Sequence, residues 1–380
     1  MAETPLIFIS AAEPSADVHA AALIRAVHAR CSRARFVGVA GPRMAEAGCD
    51  RLFDFTDHAA MLLGVVKVAG RAARMVRTCD AALRGRSFDA AVVLDSPTLH
   101  LPLAARAHAL DIPVLYYIAP QLWAWGANRI HKLRNDVDRV AVILPFEERY
   151  FRDRGVRATY VGHPLAERVA ASDVDPRSVE RIRGDAERFV ALLPGSRRHV
   201  VEAILPGQLD VARQIAESVR GVRFGVSVAG ESVAPLVQRA IASAAVPVTA
   251  HSDEYAALIA AADLVLVASG TSTLEVVFHR RPMVVMYNAS RLFYQTVGRW
   301  LIRTPYLSLP NILAGRRIVP EFMPYYTSTE PIAARAIELL QSDDARRAMM
   351  ADLETIVRPL RDTRASQATA DLLLQMIGSP

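Results

Sequence analysis

The chain has 380 residues, and this length predicts two compact domains because single hydrophobic cores rarely grow beyond about 250–300 residues. Hydrophobic residues make up 52% and charged residues 22% of the sequence, which excludes a disordered or fibrous chain. The 45 Lys and Arg residues outnumber the 39 Asp and Glu residues. The resulting charge of +6 fits an anionic ligand or surface but is too small to indicate nucleic acid.

The cysteines Cys31, Cys49 and Cys79 have no paired spacing, so the sequence predicts neither a disulfide framework nor a structural zinc site. The first residues lack the basic and apolar segments of an export signal. No run approaches the roughly 18 apolar residues that span a bilayer. We therefore expect a cytoplasmic protein that is soluble or lies on a membrane surface.

The first half of the chain alternates short apolar runs with helical patterns. Helices are predicted at about 16–30, 100–110 and 126–135. Strands are predicted at 6–9, 35–40, 90–94, 113–117, 139–143 and 159–161. Because continuous Val, Ile and Leu runs are typical of parallel strands covered on both faces, residues 1–170 are predicted to form a Rossmann-like domain.

The polar stretch 170–185 breaks this alternation and is the predicted linker. A second Rossmann-like α/β domain is expected over residues 186–328, with strands at 189–193, 223–228, 246–249, 263–267 and 282–286. Residues 329–380 have a helical pattern only. These C-terminal helices are expected to pack back on the domains.

Ligands of open α/β sheets bind outside the carboxyl ends of the strands, so the residues just after each apolar run are candidate site residues. The turn after 189–193 contains Gly195, Ser196 and Arg197, and a helical pattern follows. Glycine lets the backbone approach a ligand, a helix N-terminus presents free amides, and arginine suits a phosphate. An ordinary turn with a solvent-facing arginine explains this segment equally well.

A second candidate anion site follows the strand predicted at 263–267. Small residues run there directly into a helix, and they are Ser269, Gly270, Thr271, Ser272 and Thr273. Glu275, one turn into the helix, could accept hydrogen bonds from ribose hydroxyls. Simple N-capping with Glu275 in a capping box is the alternative, but capping needs one such residue, so the run favours a ligand.

Carboxylates follow two strands of the first half. Asp95 ends the strand at 90–94, where a partly desolvated carboxylate can serve as a general base. Glu13, Ser15 and Asp17 follow the first strand and precede a helix. Capping of the next helix, or pairing with an arginine, is the commoner role of a lone aspartate.

The segment 62–83 predicts an amphipathic helix. Its apolar face comprises Leu62, Val65, Val66, Ala69, Ala72, Ala73 and Val76, and its basic stripe comprises Lys67, Arg71, Arg74 and Arg77. Such a helix can lie on an anionic bilayer, although a solvated charged face on a packed helix is more common. A nearby aromatic cluster is interfacial or core, and it comprises Tyr116, Tyr117, Trp123 and Trp125, with Arg129 and Lys132 close by.

Short motifs run in order over nearly the whole chain. They are FVGVAGPRM at 36–44, WAW at 123–125, LPFE at 144–147, VGH at 161–163, LLPGSR at 192–197, ASGT at 268–271 and YLSLPN at 306–311. Together with Glu275 they resemble the lipid-A-disaccharide synthase family, glycosyltransferases that join two acylated glucosamines in lipopolysaccharide assembly. The resemblance implies the GT-B fold, two Rossmann-like domains facing across a cleft, with the nucleotide on the C-terminal domain.

The resemblance also implies the reaction and its participants. A diacylglucosamine moves with inversion from its UDP conjugate to diacylglucosamine 1-phosphate, without metal or other cofactor. The anionic inner-membrane surface is an expected partner, nucleic acid is not, and the oligomeric state, a homodimer included, is left open. Peripheral association with the cytoplasmic side of that membrane is expected.

Residue roles follow from the resemblance as well. Asp95 is the implied base, and Arg197 with the amides around Gly195 and Ser196 is expected to hold the diphosphate. Glu275 is expected to hold the ribose. The implied substrate-facing positions are Asn311, Glu13, Ser15 and Asp17.

Three departures from the family pattern stand out. AEPSAD at 12–17 replaces the usual GEASGD, so positive φ becomes costly there. DSPTLH at 95–100 replaces the usual DAPDFN, and Asn288 stands where an arginine is common. The alternatives are therefore a UDP-sugar epimerase, a transferase with another acceptor, or a non-catalytic UDP-sugar or membrane-binding homologue.

Overall fold

The computed structural model describes residues 4–54, 65–172, 174–288 and 304–378, excluding the side chains of 65–69. The chain divides into two compact units. The first comprises Met1–Glu167 together with Thr363–Pro380, and the second comprises Arg168–Asp362. Each unit contains a parallel β-sheet with helices, so the predicted α/β class with two domains is confirmed.

The sheet of the first unit has seven parallel strands in the order β3-β2-β1-β4-β5-β6-β7. The strands are β1 (Leu6–Ala11), β2 (Arg35–Val39), β3 (Cys49–Phe53), β4 (Ala90–Leu94), β5 (Val114–Tyr117), β6 (Arg139–Val142) and β7 (Ala158–Tyr160). The helices are α1 (Pro14–His28), α2 (Pro42–Glu46), α3 (Val65–Gly85), α4 (Pro97–His108), α5 (Ile130–Asp136), α6 (Pro145–Arg152) and α7 (Pro164–Ala171). The sequence did not predict β3, because this edge strand exposes Asp50 and Arg51 instead of forming an apolar run.

The central strands of this sheet are buried on both faces. Successive side chains of a strand point to opposite sides, so β1 places Ile7 and Ile9 in one core and Phe8 in the other. Helix α16 (Ala365–Met376) belongs to this unit and packs on α1, with Leu373 in the first of these cores.

The sheet of the second unit has the order β10-β9-β8-β11-β12-β13. Its strands are β8 (Arg188–Leu193), β9 (Val222–Val228), β10 (Val248–Ser252), β11 (Leu264–Ala268), β12 (Met283–Met286) and β13 (Glu321–Phe322). Its helices are α8 (Pro176–Arg183), α9 (Arg198–Ser218), α10 (Ala234–Ala242), α11 (Tyr255–Ala261), α12 (Thr271–Phe278), α13 (Leu309–Ala314), α14 (Glu330–Gln341) and α15 (Asp343–Arg361). The two-residue strand β13 was too short to give a sequence signal.

The predicted linker at 170–185 contains helix α8. Asp175 begins this helix by accepting hydrogen bonds from the backbone amides of Arg177 and Ser178, and Pro176 occupies the first helical turn. Ile182 is buried, so the segment packs against its own unit. Within the described ranges, none of the helices is long and apolar enough to cross a bilayer.

Candidate functional site

The turn after β4 has an unusual backbone. Asp95 and Ser96 adopt φ values of 50° and 38°, the left-handed region that non-glycine residues seldom occupy. This conformation costs roughly 1–2 kcal/mol per residue, so neighbouring contacts must hold it. The turn leads directly into α4, whose N-cap residue is Ser96.

Two side chains hold the carbonyl oxygen of Asp95. The Tyr116 hydroxyl donates to it at 2.5 Å, and Nδ1 of His100 lies 3.0 Å from it. Nε2 of His100 lies 2.9 Å from Oγ of Ser10 on β1. Because a carbonyl only accepts, Nδ1 carries the proton, and Nε2 accepts from the Ser10 hydroxyl. His100 is fully buried, and this burial lowers its pKa and favours the neutral ring.

The Asp95 carboxylate is half-buried and makes no hydrogen bond or ion pair with the residues that the structure describes. It is therefore free to accept a proton from a ligand. The sequence predicted Asp95 from its place at a strand end. It did not predict Ser10 or Tyr116, and it marked His100 only as a departure from the family pattern. The one sequence signal for this hydrogen-bonded group was Ser10, a polar residue in the apolar strand β1, which the structure buries.

The loop after β1 separates the three residues predicted there. Ser15 is exposed, and Glu13 is the half-buried N-cap residue of α1. The Asp17 carboxylate is buried and accepts hydrogen bonds, each of 3.0 Å, from the amides of Gly41, Arg43 and Met44. These bonds hold its carboxylate at the start of α2, so the predicted substrate contact of Asp17 would have to compete with them.

The turn after β8 presents the predicted phosphate-binding group. Gly195 has a φ of 104°, and a Cβ there would lie 3.1 Å from the Val200 side chain, so glycine is required. Ser196 and Arg197 are exposed directly before α9. The free amides of this helix start and the arginine lie next to each other, which suits an anion.

The turn after β11 is also built on a glycine. Gly270 has a φ of 144° and a ψ of −161° and is the N-cap residue of α12, so no Ser or Thr side chain caps this helix. Thr271 is exposed, and Ser269 and Ser272 are half-buried. Thr273 is buried, and both its hydroxyl and its amide donate to the Gly270 carbonyl, at 2.8 and 3.1 Å. A nucleotide contact of Thr273, which stays a prediction, would have to compete with these two bonds.

Glu275 forms an ion pair with Arg168, a partner that the sequence did not predict. Only 15% of the Glu275 side chain is exposed, so the pair is partly desolvated. Burial also lowers the pKa of the Arg168 guanidinium, which remains protonated. A ribose contact by Glu275 would have to compete with this pair.

Asn311 is a structural residue. Its side chain is fully buried, and Nδ2 donates to the Val319 carbonyl at 3.0 Å and to Glu321 at 2.9 Å. Oδ1 accepts from the amides of Ile318 and Val319 at 2.7 and 3.0 Å. These four bonds use its amide completely, so the predicted substrate contact of Asn311 would require some of them to break.

The aromatic cluster divides between core and surface. Tyr116, Tyr117 and Trp123 are buried, and the Trp123 indole donates to the buried Glu147 carboxylate at 2.9 Å. Trp125 is 44% exposed, and the Arg129 guanidinium lies 5.7 Å from its ring centre. Only Trp125 therefore remains as an interfacial aromatic of the predicted cluster.

The described part of α3 buries a face that includes Val76 of the predicted apolar face. Met75, Cys79 and Leu83 enter the core, whereas Ala73 is exposed. The Met75, Cys79 and Leu83 spacing of four residues follows one side of the helix. Leu62 lies outside the described residues, as do the side chains of the other early members of the predicted face.

The basic stripe on α3 is partly solvent-facing. Arg74 and Arg77 are exposed, while Arg71 donates to the Asp54 carbonyl at 2.6 Å and lies 5.8 Å from the Phe53 ring centre. The side chain of Lys67 is not among those described. Among the described side chains of the stripe, Arg74 and Arg77 therefore face solvent, and Arg71 contacts the segment after β3.

Comparison with known sequences identifies one family over almost the entire chain. The family model described as lipid-A-disaccharide synthetase matches residues 7–375. A lipid-A-disaccharide synthase from Myxococcus xanthus is 34% identical and covers 99% of each chain. Another, from Anaeromyxobacter dehalogenans, is 37% identical over 98% of this chain and 97% of its own.

Comparison with solved structures gives the fold. MurG of Acinetobacter baumannii superposes with a TM-score of 0.60 at 15% identity, covering 98% of this chain and 99% of its own. A UDP co-structure of MnaA from S. aureus gives 0.67 at 9% identity, covering 100% and 99%. A Listeria monocytogenes protein described as a UDP-N-acetylglucosamine 2-epimerase of unproven activity gives 0.65 at 14% identity, covering 98% and 95%. The chain therefore has the GT-B fold.

Proposed function

The chain belongs to the lipid-A-disaccharide synthase family and is a glycosyltransferase, and on this premise we propose that Asp95 is the base of its sugar transfer. The observation that carries the assignment is the half-buried Asp95 carboxylate, which ends β4 and has no partner among the described side chains. A carboxylate in this position can take a proton without first breaking an internal bond.

The reaction that fits the family is a single in-line displacement. The acceptor hydroxyl oxygen bonds to the anomeric carbon of the donor sugar while the bond from that carbon to the UDP oxygen breaks. The hydroxyl proton passes to Asp95, and the bonding electrons leave with the UDP diphosphate. One displacement inverts the anomeric centre. The products are an acylated disaccharide 1-phosphate and UDP.

The donor nucleotide is assigned to the second unit. Gly195 and Ser196 offer backbone amides beside the start of α9, and Arg197 offers a fork of donors for the departing diphosphate. The amides after Gly270 form a similar group. Glu275 takes the ribose hydroxyls after the ion pair with Arg168 opens. These donors neutralise diphosphate charge in the way that a metal ion would, so turnover is expected without added metal.

The acylated substrates reside in a membrane, and we assign the membrane contact to α3. Arg74 and Arg77 point to solvent and can bind anionic headgroups on the cytoplasmic side of the inner membrane. Reversing both charges should weaken binding to phosphatidylglycerol vesicles more than about tenfold, since each basic residue contributes roughly 1 kcal/mol near such a surface. The double reversal of Arg335 and Arg347 in the other unit is the charge-matched control. Equal binding by both variants would remove α3 from the membrane contact.

The epimerase alternative rests on fold likeness at 14% identity, which does not determine the reaction. The relatives that match at 34% and 37% over nearly the full chain are synthases. The second alternative, a homologue without turnover, is tested by measuring whether the wild-type protein forms disaccharide.

The test is the conversion of UDP-diacylglucosamine and diacylglucosamine 1-phosphate to disaccharide in metal-free buffer. Asp95→Asn should lower kcat by about 10²–10⁴-fold, the usual contribution of a general base, and leave UDP affinity unchanged. Asp111→Asn is the matched control, because Asp111 is an exposed aspartate elsewhere in the first unit with a similar positive φ, 57° against 50° for Asp95. Full activity of Asp95→Asn would exclude the base assignment. UDP release without disaccharide would indicate another acceptor.

A further inference from the structure

We propose that His100 is a positioning residue whose neutral imidazole, held by Ser10, fixes the strained turn that carries Asp95. This inference rests on the proposed function, in which Asp95 is the base. The residues concerned all lie in the first unit, on β1, β4, β5 and α4.

The turn needs an external support. Asp95 and Ser96 both have positive φ, and neither is a glycine, so the isolated segment would relax to another conformation. His100 and Tyr116 place two donors on the one Asp95 carbonyl, which uses both of its lone pairs. These two hydrogen bonds fix the backbone of Asp95. The backbone in turn sets the direction of the Cα–Cβ bond that carries the carboxylate.

His100 is itself held on its far side. Ser10 lies within β1, and its backbone pairs in register with Val93 of β4, so the hydroxyl has a fixed position. The Ser10 hydroxyl donates to Nε2, which leaves the proton on Nδ1 facing Asp95. Ser10 and His100 are both fully buried, so water cannot replace either bond. A rigid sheet residue thus sets the tautomer and the orientation of the ring.

The chemistry predicts a specific kinetic signature. The Asp95 carboxylate acts on the acceptor hydroxyl, whereas the nucleotide is assigned to the other unit. Loosening the turn should therefore lower kcat and leave UDP affinity almost unchanged. An asparagine at position 100 can present an amide N–H where Nδ1 now lies, so it should restore most of the rate, whereas leucine cannot donate.

The experiment compares His100→Leu with His100→Asn in the disaccharide assay. We expect kcat to fall about 10-fold to 100-fold in the leucine variant, the loss that a small misplacement of a reacting group can cause, and to recover most of the way in the asparagine variant. UDP affinity should stay within about twofold. Ser96→Gly in the leucine background should regain part of the rate, since glycine adopts positive φ at little cost.

A second measurement reads the turn without substrate. Hydrogen exchange of the amides at 95–100 should accelerate about tenfold or more in His100→Leu and less in His100→Asn. If the leucine variant does not fold, Ser10→Ala replaces it, with a smaller fall in kcat and the same faster exchange expected.

The possible results distinguish a failure of the proposed function from a failure of the positioning role of His100. Absence of disaccharide with wild-type protein would reject the proposed function, and exchange alone would then decide the role of His100. Wild-type kcat together with unchanged exchange in His100→Leu or Ser10→Ala would overturn the inference. An equal loss of kcat and UDP affinity, unrelieved by asparagine, would also overturn it and indicate a general folding defect.

Discussion

The two units of this protein hold the turns at their strand ends in different ways. In the first unit, buried side chains bond to the backbone of the turn. Asp17 holds the amides after β2, His100 and Tyr116 hold the Asp95 carbonyl after β4, and Glu147 accepts from the amides of Ile143 and Leu144 after β6. The bonds of Asp17 and Tyr116 reach turns that are distant in sequence, whereas Glu147 and His100 bond to residues of their own turns.

In the second unit, glycines supply the positive φ of the turns after β8, β9 and β11, whereas Asp253 supplies it after β10. Gly195 follows β8 with a φ of 104°, Gly230 follows β9 with 94°, and Gly270 follows β11 with 144°. A glycine adopts these angles without a supporting contact, because it has no Cβ to clash with the backbone. These turns are therefore local features of the chain.

This difference fits the role proposed for each turn. Backbone amides that bind a phosphate need open space and a close approach, which glycine provides. A carboxylate that removes a proton needs one fixed orientation, and the tertiary hydrogen bonds around Asp95 supply it. The first unit thus stores backbone strain where the base is proposed, and the second avoids strain where the nucleotide is proposed.

The largest effect is expected from removing a glycine of the second unit. Gly270→Ala should lower the free energy of unfolding by about 2 kcal/mol, because this combination of φ and ψ is essentially restricted to glycine. An added Cβ would meet no atom within 4 Å, so the cost is purely conformational. Urea unfolding measures the change, and UDP affinity should fall with it.

Gly70→Ala is the matched control for that change. Gly70 lies within α3, and an added Cβ there would also meet no atom within 4 Å. Because alanine favours a helix over glycine, this variant should be more stable by about 0.5–1 kcal/mol. Equal effects of the two substitutions would contradict the conformational explanation.

A smaller effect, spread over pH, is expected from a buried carboxyl of the first unit. Burial raises the pKa of Glu147 from 4.5 to about 7, although hydrogen bonds from Trp123, Leu144 and Ile143 oppose this shift. Between these values the folded protein keeps a proton that the unfolded chain has released. Stability should therefore fall as pH rises from about 4.5 to 7, by at most about 1.4 kcal/mol per pH unit.

Glu147→Gln tests this dependence, because glutamine does not titrate. Unfolding midpoints of the variant should change less with pH in that window than those of the wild type. Glu148→Gln, a half-buried neighbour paired with Arg152, serves as the control and should retain the wild-type slope. Parallel slopes for all three proteins would show that Glu147 carries an ordinary pKa.

Sequence reasoning was most successful where the signal is local. The continuous apolar runs gave most strands to within one or two residues, and they correctly placed Asp95, Gly195 and Gly270 just after strand ends. It did not predict the internal bonds of buried polar residues. Asp17 and Asn311 were expected to face substrate, and in the structure each bonds to backbone groups of another segment, Asn311 also to the Glu321 carboxylate.

The sequence by itself determined the two α/β domains, the family and the positions of the glycine turns, because periodicity, motif order and glycine act over a few neighbouring residues. Only the tertiary structure decided which polar side chains remain available to a ligand and which are already hydrogen-bonded within the protein. Ser10 and Asp95 are 85 residues apart in sequence, and pairing of β1 with β4 brings their surroundings together around His100. Hydrogen bonds of this kind depend on that pairing and leave no local pattern in the chain.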